Sequence, residues 1–78
     1  MAKGIQDERY QAVVDALKAA RKRLGLNQTV FGARLGQRQQ FVSKYESGER
    51  RLDVIEFVDV AKALDLDWSK LLQKVDRG

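Results

Sequence analysis

The 78-residue sequence has no cysteine, no histidine and no proline, and a single tryptophan and methionine. Without cysteine there is no disulfide staple and no thiolate site; without histidine the commonest metal ligand and general base are both missing. An enzyme is therefore not expected, nor a metal site or other cofactor. No apolar run approaches the roughly 18 residues needed to span a bilayer. Met1 to Gln6 lacks the apolar core of a signal peptide, so a soluble cytoplasmic protein is expected. No segment alternates as a strand, and there is no repeat, linker or low-complexity stretch. A chain this short buries only about 60% of its unfolded surface, which leaves room for one small domain.

What is present is charge, unevenly placed. The net charge is +4, with residues 1–20 neutral, 21–51 carrying eight basic and two acidic groups, and 52–78 carrying four basic and six acidic. A positive middle between neutral and acidic ends is the pattern of a domain with one phosphate-binding face.

The periodicity predicts five helices. Met1–Gln6, with Gly4, reads as a flexible arm ahead of a single domain over 7–78. From Asp7, the residues Tyr10, Val13, Val14, Leu17, Ala20 and Leu24 share one face, and Gly25 closes this first helix. Its last turn carries Arg21, Lys22 and Arg23. The main reading of these is favourable placement against the helix dipole, with phosphate contact as the other. Leu26 and Asn27 open the second helix as staple residue and N-cap, with Phe31 packing back on Leu26, and Gly36 ends it. Gln37 and Arg38 form a turn, a third helix runs from about Gln39 to Ser47, and Gly48 takes the left-handed position that ends it. Asp53 as N-cap, Glu56 as its capping-box partner and the staple pair Leu52 and Phe57 start a fourth helix. Its inward face is expected to hold Val54, Ile55, Val58, Ala61 and Leu64, widened by Phe57 and Val60. Asp67 caps a fifth helix with Trp68, Leu71, Leu72 and Val75 on one stripe.

Within this frame residues 27–48 read as two helices joined too tightly to stack antiparallel. Apolar residues point inward on both sides of Gly36: Val30, Phe31 and Leu35 before it, Phe41, Val42 and Tyr45 after it. Gly32, mid-helix where glycine costs roughly 1 kcal/mol relative to alanine, makes sense if the following helix passes close to it. That is a helix-turn-helix, and its second helix carries Arg38, Gln39, Gln40, Ser43 and Lys44 on the face away from the core.

Such a helix reads bases in the major groove with long hydrogen-bonding side chains at its start. Glutamine can bond bidentately to adenine, and arginine to guanine or phosphate. Gln28, with Asn27 beside it, would lie over the backbone that the second helix crosses and fix register by phosphate contact; Arg50 and Arg51 are placed for further phosphate contacts. Taken singly, each signal has a plainer reading: Gln37–Gln40 as a solvated helix start, Arg50 and Arg51 as loop charges. The joint pattern of glycines at the helix ends, apolar residues inward, polar residues outward and positive charge concentrated here favours double-stranded DNA as the partner.

The residues Leu26-Asn27-Gln28, Phe31-Gly32, Leu35-Gly36, Val42-Ser43-Lys44-Tyr45-Glu46-Ser47-Gly48 and Val60-Ala61-Lys62-Ala63-Leu64 resemble the helix-turn-helix family of phage repressors and Cro proteins, the XRE family. The resemblance covers about residues 8–75. It implies an all-α, five-helix, lambda-repressor-like domain that binds a palindromic operator as a homodimer and represses transcription. It puts Gln28 on phosphate, Gln39, Gln40 and Lys44 on base edges and Ser43 near backbone or base, and makes Glu46 structural. The sequence departs from the family where Arg38 stands in place of an N-capping Ser or Thr, Gln37 in place of an apolar residue, and Gly32 in place of alanine. The homodimer is expected to form through the fifth helix and neighbouring surface, using whatever part of Phe57, Val60, Trp68, Leu71, Leu72 and Val75 the core leaves over. Other readings are an antitoxin or a restriction-modification controller. From a different class comes a helical adaptor that binds a partner chain through exposed apolar residues of the last two helices.

Overall fold

Why the chain breaks into helices where it does is visible at each boundary of the computed structural model, which describes residues 7–77. The expectation of an arm at Met1–Gln6 lies outside them. The described residues form α1 (Glu8–Arg23), α2 (Gln28–Arg34), α3 (Gln39–Ser47), α4 (Val54–Ala63) and α5 (Trp68–Arg77), with no strand among them. Asp7, Asn27, Asp53 and Asp67 each accept a hydrogen bond from a backbone N–H of the turn that follows, supplying acceptors for donors that the first turn of a helix otherwise leaves unmet. Asp53 and Glu56 complete the capping box in both directions. Arg38 caps α3 with its backbone alone, as expected where the hydroxyl of a serine or threonine is missing.

The core is built from Val13, Val14, Leu17 and Ala20 of α1, Phe31 of α2, Val42 and Tyr45 of α3, Leu52, and Phe57, Val60, Ala61 and Leu64 of α4 and its end. α2 packs chiefly on α3, α1 on α3 and α5, and α4 on α5. Leu71 and Val75 of α5 lie half-buried against this core, as do Leu26, Leu35 and Phe41.

Several apolar residues lie outside the core. Val54 and Ile55 are 75% and 69% exposed, whereas Phe57 and Val60 are buried. The stripe of α4 is thus Phe57, Val60, Ala61 and Leu64, and the surplus lies one turn earlier than expected. Leu52, buried just before the N-cap, anchors the entry so that Phe57 turns inward and Val54 and Ile55 turn out. Val30 stays exposed because Phe31 and Gly32 occupy the inward side of α2. Leu24 is exposed because it is the C-cap of α1, where Gly25, at φ +74°, reverses the chain before the stripe repeats. Trp68 and Leu72 remain substantially exposed on α5.

Arg21 departs furthest from its expected role. Its side chain is not free for phosphate but lies inside the domain, where Nε and Nη2 donate to Glu46 at 2.7 and 2.9 Å and Nη1 donates to the Leu26 carbonyl at 2.6 Å. The carboxylate holds the guanidinium above its ordinary pKa despite the cost of burial. A buried pair of this kind survives because three of its donors are satisfied and α1, the α1–α2 turn and α3 are joined through it.

Candidate nucleic-acid interface

The turn between α2 and α3 is tight because Gly32 permits it. A Cβ placed on Gly32 would stand 3.0 Å from the Arg38 carbonyl oxygen and 3.2 Å from that of Gln37. The close neighbour is therefore the turn and the N-cap of α3, one residue ahead of the helix itself. Gly36, at φ +70°, reverses the chain after Leu35, and the Gln37 N–H donates back to the Gly32 carbonyl at 2.9 Å. With Val42 and Tyr45 anchored in the core, the opposite side of α3 is left facing solvent.

On that side Arg38, Gln40 and Lys44 are exposed, and Gln39 and Ser43 are half-buried at its edges. The position of Gln39 is set by a relay that begins in the core. Glu46, held by Arg21, accepts a hydrogen bond from Gln28 Nε2 at 3.0 Å, and Gln28 Oε1 accepts one from Gln39 Nε2 at 2.8 Å. A carboxylate only accepts, so Gln28 must turn its amide nitrogen to Glu46 and its oxygen outward, and Gln39 must answer with its nitrogen. What Gln39 has left for a ligand is one N–H and a carbonyl oxygen.

Asn27 spends its side-chain oxygen on the Val30 N–H at 2.8 Å and keeps its amide nitrogen on the exposed surface. Arg50 and Arg51, adjacent in sequence, go to different places. The Arg50 guanidinium lies 4.9 Å from the centre of the Phe41 ring and meets Glu56 with two bonds of 2.9 and 2.7 Å. It shares a shallow cleft with Arg38, Gln40 and Lys44. The Arg51 guanidinium lies 4.7 Å from the centre of the Tyr10 ring and lines a depression between α1 and α5 with Asp7 and Asp76, away from the α3 cleft. Tyr10 also accepts the Leu52 N–H at 2.9 Å, so the loop after α3 is pinned to α1.

The structure thus brings Arg38, Gln40, Lys44 and Arg50 into one cleft, joins Gln28 to Gln39, and sets Arg51 apart. Two roles escaped the sequence reading: the ion pair of Arg21, whose partner is 25 residues away, and the second role of Glu56 as the partner of Arg50. The cap signal at Glu56 was visible; its charge partner in the preceding loop could have been sought there. Among the described residues no group of acidic side chains is arranged to hold a metal ion, and no helix is long and apolar enough to cross a membrane.

Comparison with known proteins agrees with the five-helix fold. A helix-turn-helix family model matches residues 17–71. Among solved structures, the chain is similar to an XRE-family like protein from Pseudomonas syringae pv. tomato str. DC3000, at 48% sequence identity and a TM-score of 0.85, over 96% of this chain and 94% of that one. No curated protein matches the chain.

Proposed function

The chain belongs to the XRE-type helix-turn-helix family of DNA-binding regulators, and from that premise we propose that it is a transcriptional repressor that reads a palindromic operator as a homodimer. The observation that carries the reading is the relay from Glu46 through Gln28 to Gln39. It holds the first residue of α3 outward with an N–H and a carbonyl oxygen free, the complement of adenine N7 and N6 in the major groove. Gln39 is then an adenine reader and Gln40 its neighbour on the same edge. Arg38, Ser43 and Lys44 flank them for guanine or for the adjoining backbone.

Phosphates are held by Asn27 and by the remaining amide hydrogen of Gln28 at the start of α2, and by Arg50 and Arg51 after α3. Because Arg51 lies over α1, its contact would fall on a phosphate further from the bases than that of Arg50.

One recognition helix covers only a few base pairs, and two copies about one helical turn of DNA apart multiply the selectivity. The apolar side chains available to such a pair are Trp68 and Leu72 on α5 and Val54 and Ile55 at the start of α4. Two experiments test the proposal. Selection from random duplexes should return a two-fold symmetric site, and sedimentation should show two protein chains per site; an asymmetric half-site bound by a strict monomer refutes the dimer. Duplex binding that shows no salt dependence would instead favour an adaptor that binds protein.

A further inference from the structure

We infer that Glu56, beyond capping α4, acts as an internal competitor for the DNA backbone, occupying Arg50 as a phosphate would and so restraining sequence-independent attachment to DNA. This rests on the DNA-binding reading above.

The carboxylate of Glu56 is fixed: Oε1 accepts the Asp53 N–H at 3.0 Å in the capping box, and both oxygens accept from Arg50. A planar carboxylate meeting a guanidinium with two parallel bonds reproduces the way arginine takes a phosphate. Arg50 is also fixed, stacked on Phe41 at the rim of a cleft whose other cations are Arg38 and Lys44. With Glu56 attached, the rim is electrically neutral at Arg50, and the positive field of the cleft comes from Arg38 and Lys44 alone. The pair is only partly buried, with the Arg50 side chain 40% exposed. It is therefore weak enough for a phosphate to displace or share, yet each such contact must be made against the carboxylate.

The test uses the full chain on random-sequence duplex DNA, with binding followed against salt. E56Q removes the charge while keeping a side chain able to close a capping box, so that melting separates lost fold from altered binding. The expected result is several-fold tighter binding at low salt and a salt slope steeper by about 0.9, the increment of one further phosphate contact. The double variant E56Q/R50A should bind no better than R50A. Unchanged or weaker binding by E56Q overturns the inference, because Glu56 then orients Arg50 or Arg50 never meets phosphate. A gain that persists in E56Q/R50A overturns it as well, since it does not pass through Arg50. A parent that binds no duplex at any salt fails the DNA-binding reading itself, and this inference falls with it.

Discussion

Arg21 and Glu46, 25 residues apart in sequence, form a two-bond ion pair inside the domain, and the same carboxylate holds Gln28. Removing one partner leaves the other buried without compensation. Glu46→Ala should cost about 3–5 kcal/mol, a large share of the roughly 5–15 kcal/mol by which small domains are stable. Replacing both partners with apolar residues, Arg21→Met with Glu46→Leu, should cost less than Glu46→Ala alone. Urea unfolding at constant m-value measures both; a loss under about 1 kcal/mol for Glu46→Ala would mean that the pair is not sealed from water.

Base reading and phosphate holding separate by where the loss falls. Gln39→Ala or Gln40→Ala should weaken binding to the selected operator by about 1–3 kcal/mol and leave binding to random duplex nearly unchanged. Arg51→Ala should weaken both alike and make the salt slope shallower. Equal losses on operator and random DNA for the glutamine variants would remove them from the bases.

Gly32 tests the turn. Alanine gains up to about 1 kcal/mol of helix propensity there, but its Cβ would press on the Arg38 carbonyl at 3.0 Å. The two effects oppose, so Gly32→Ala should melt within about 1 kcal/mol of the parent. Gly32→Leu overpacks the turn by about 1–3 kcal/mol and tilts α3, so operator binding should fall further than the lost folded fraction explains. A leucine variant that melts and binds like the parent would show that the turn yields freely.

Acid should loosen the loop after α3. The bonds from Arg50 hold the Glu56 carboxyl below its ordinary value of 4.5. In the acid range the unfolded chain therefore takes up this proton more readily than the folded one. The contribution is fully present above about pH 4.5 and is lost as pH falls through the lowered value. Melting temperature should drop on acidification below that point, and E56Q should flatten that part of the profile. An E56Q profile that falls as steeply as the parent's would assign the acid sensitivity to other carboxylates.

The elements were legible in the sequence because the signals that bound them are local. Asn27, Asp53 and Asp67 cap helices from within one turn, and Gly25, Gly36 and Gly48 adopt positive φ where each chain reversal needs it. The small residue at position 32 likewise signals a close approach, although the neighbour is the turn and the N-cap and not α3 itself. Less legible was which apolar residues face inward. α4 offers two overlapping stripes, and nothing within the helix says whether Val54 and Ile55 or Phe57 and Val60 go inside.

By itself, then, the sequence determined five helices, a glycine-relieved turn at Gly36 and a polar face on α3, because each follows from backbone preferences acting over three or four residues. Only the tertiary structure decided the rest. Leu52 anchoring the start of α4 chose its stripe, Glu46 drew Arg21 out of the basic cluster, and Phe41 with Glu56 took Arg50 to the α3 cleft while Tyr10 took Arg51 to α1. The physical reason is that a charged side chain settles wherever partner and burial together leave it best satisfied. Those partners arrive from distant parts of the chain only when the helices pack.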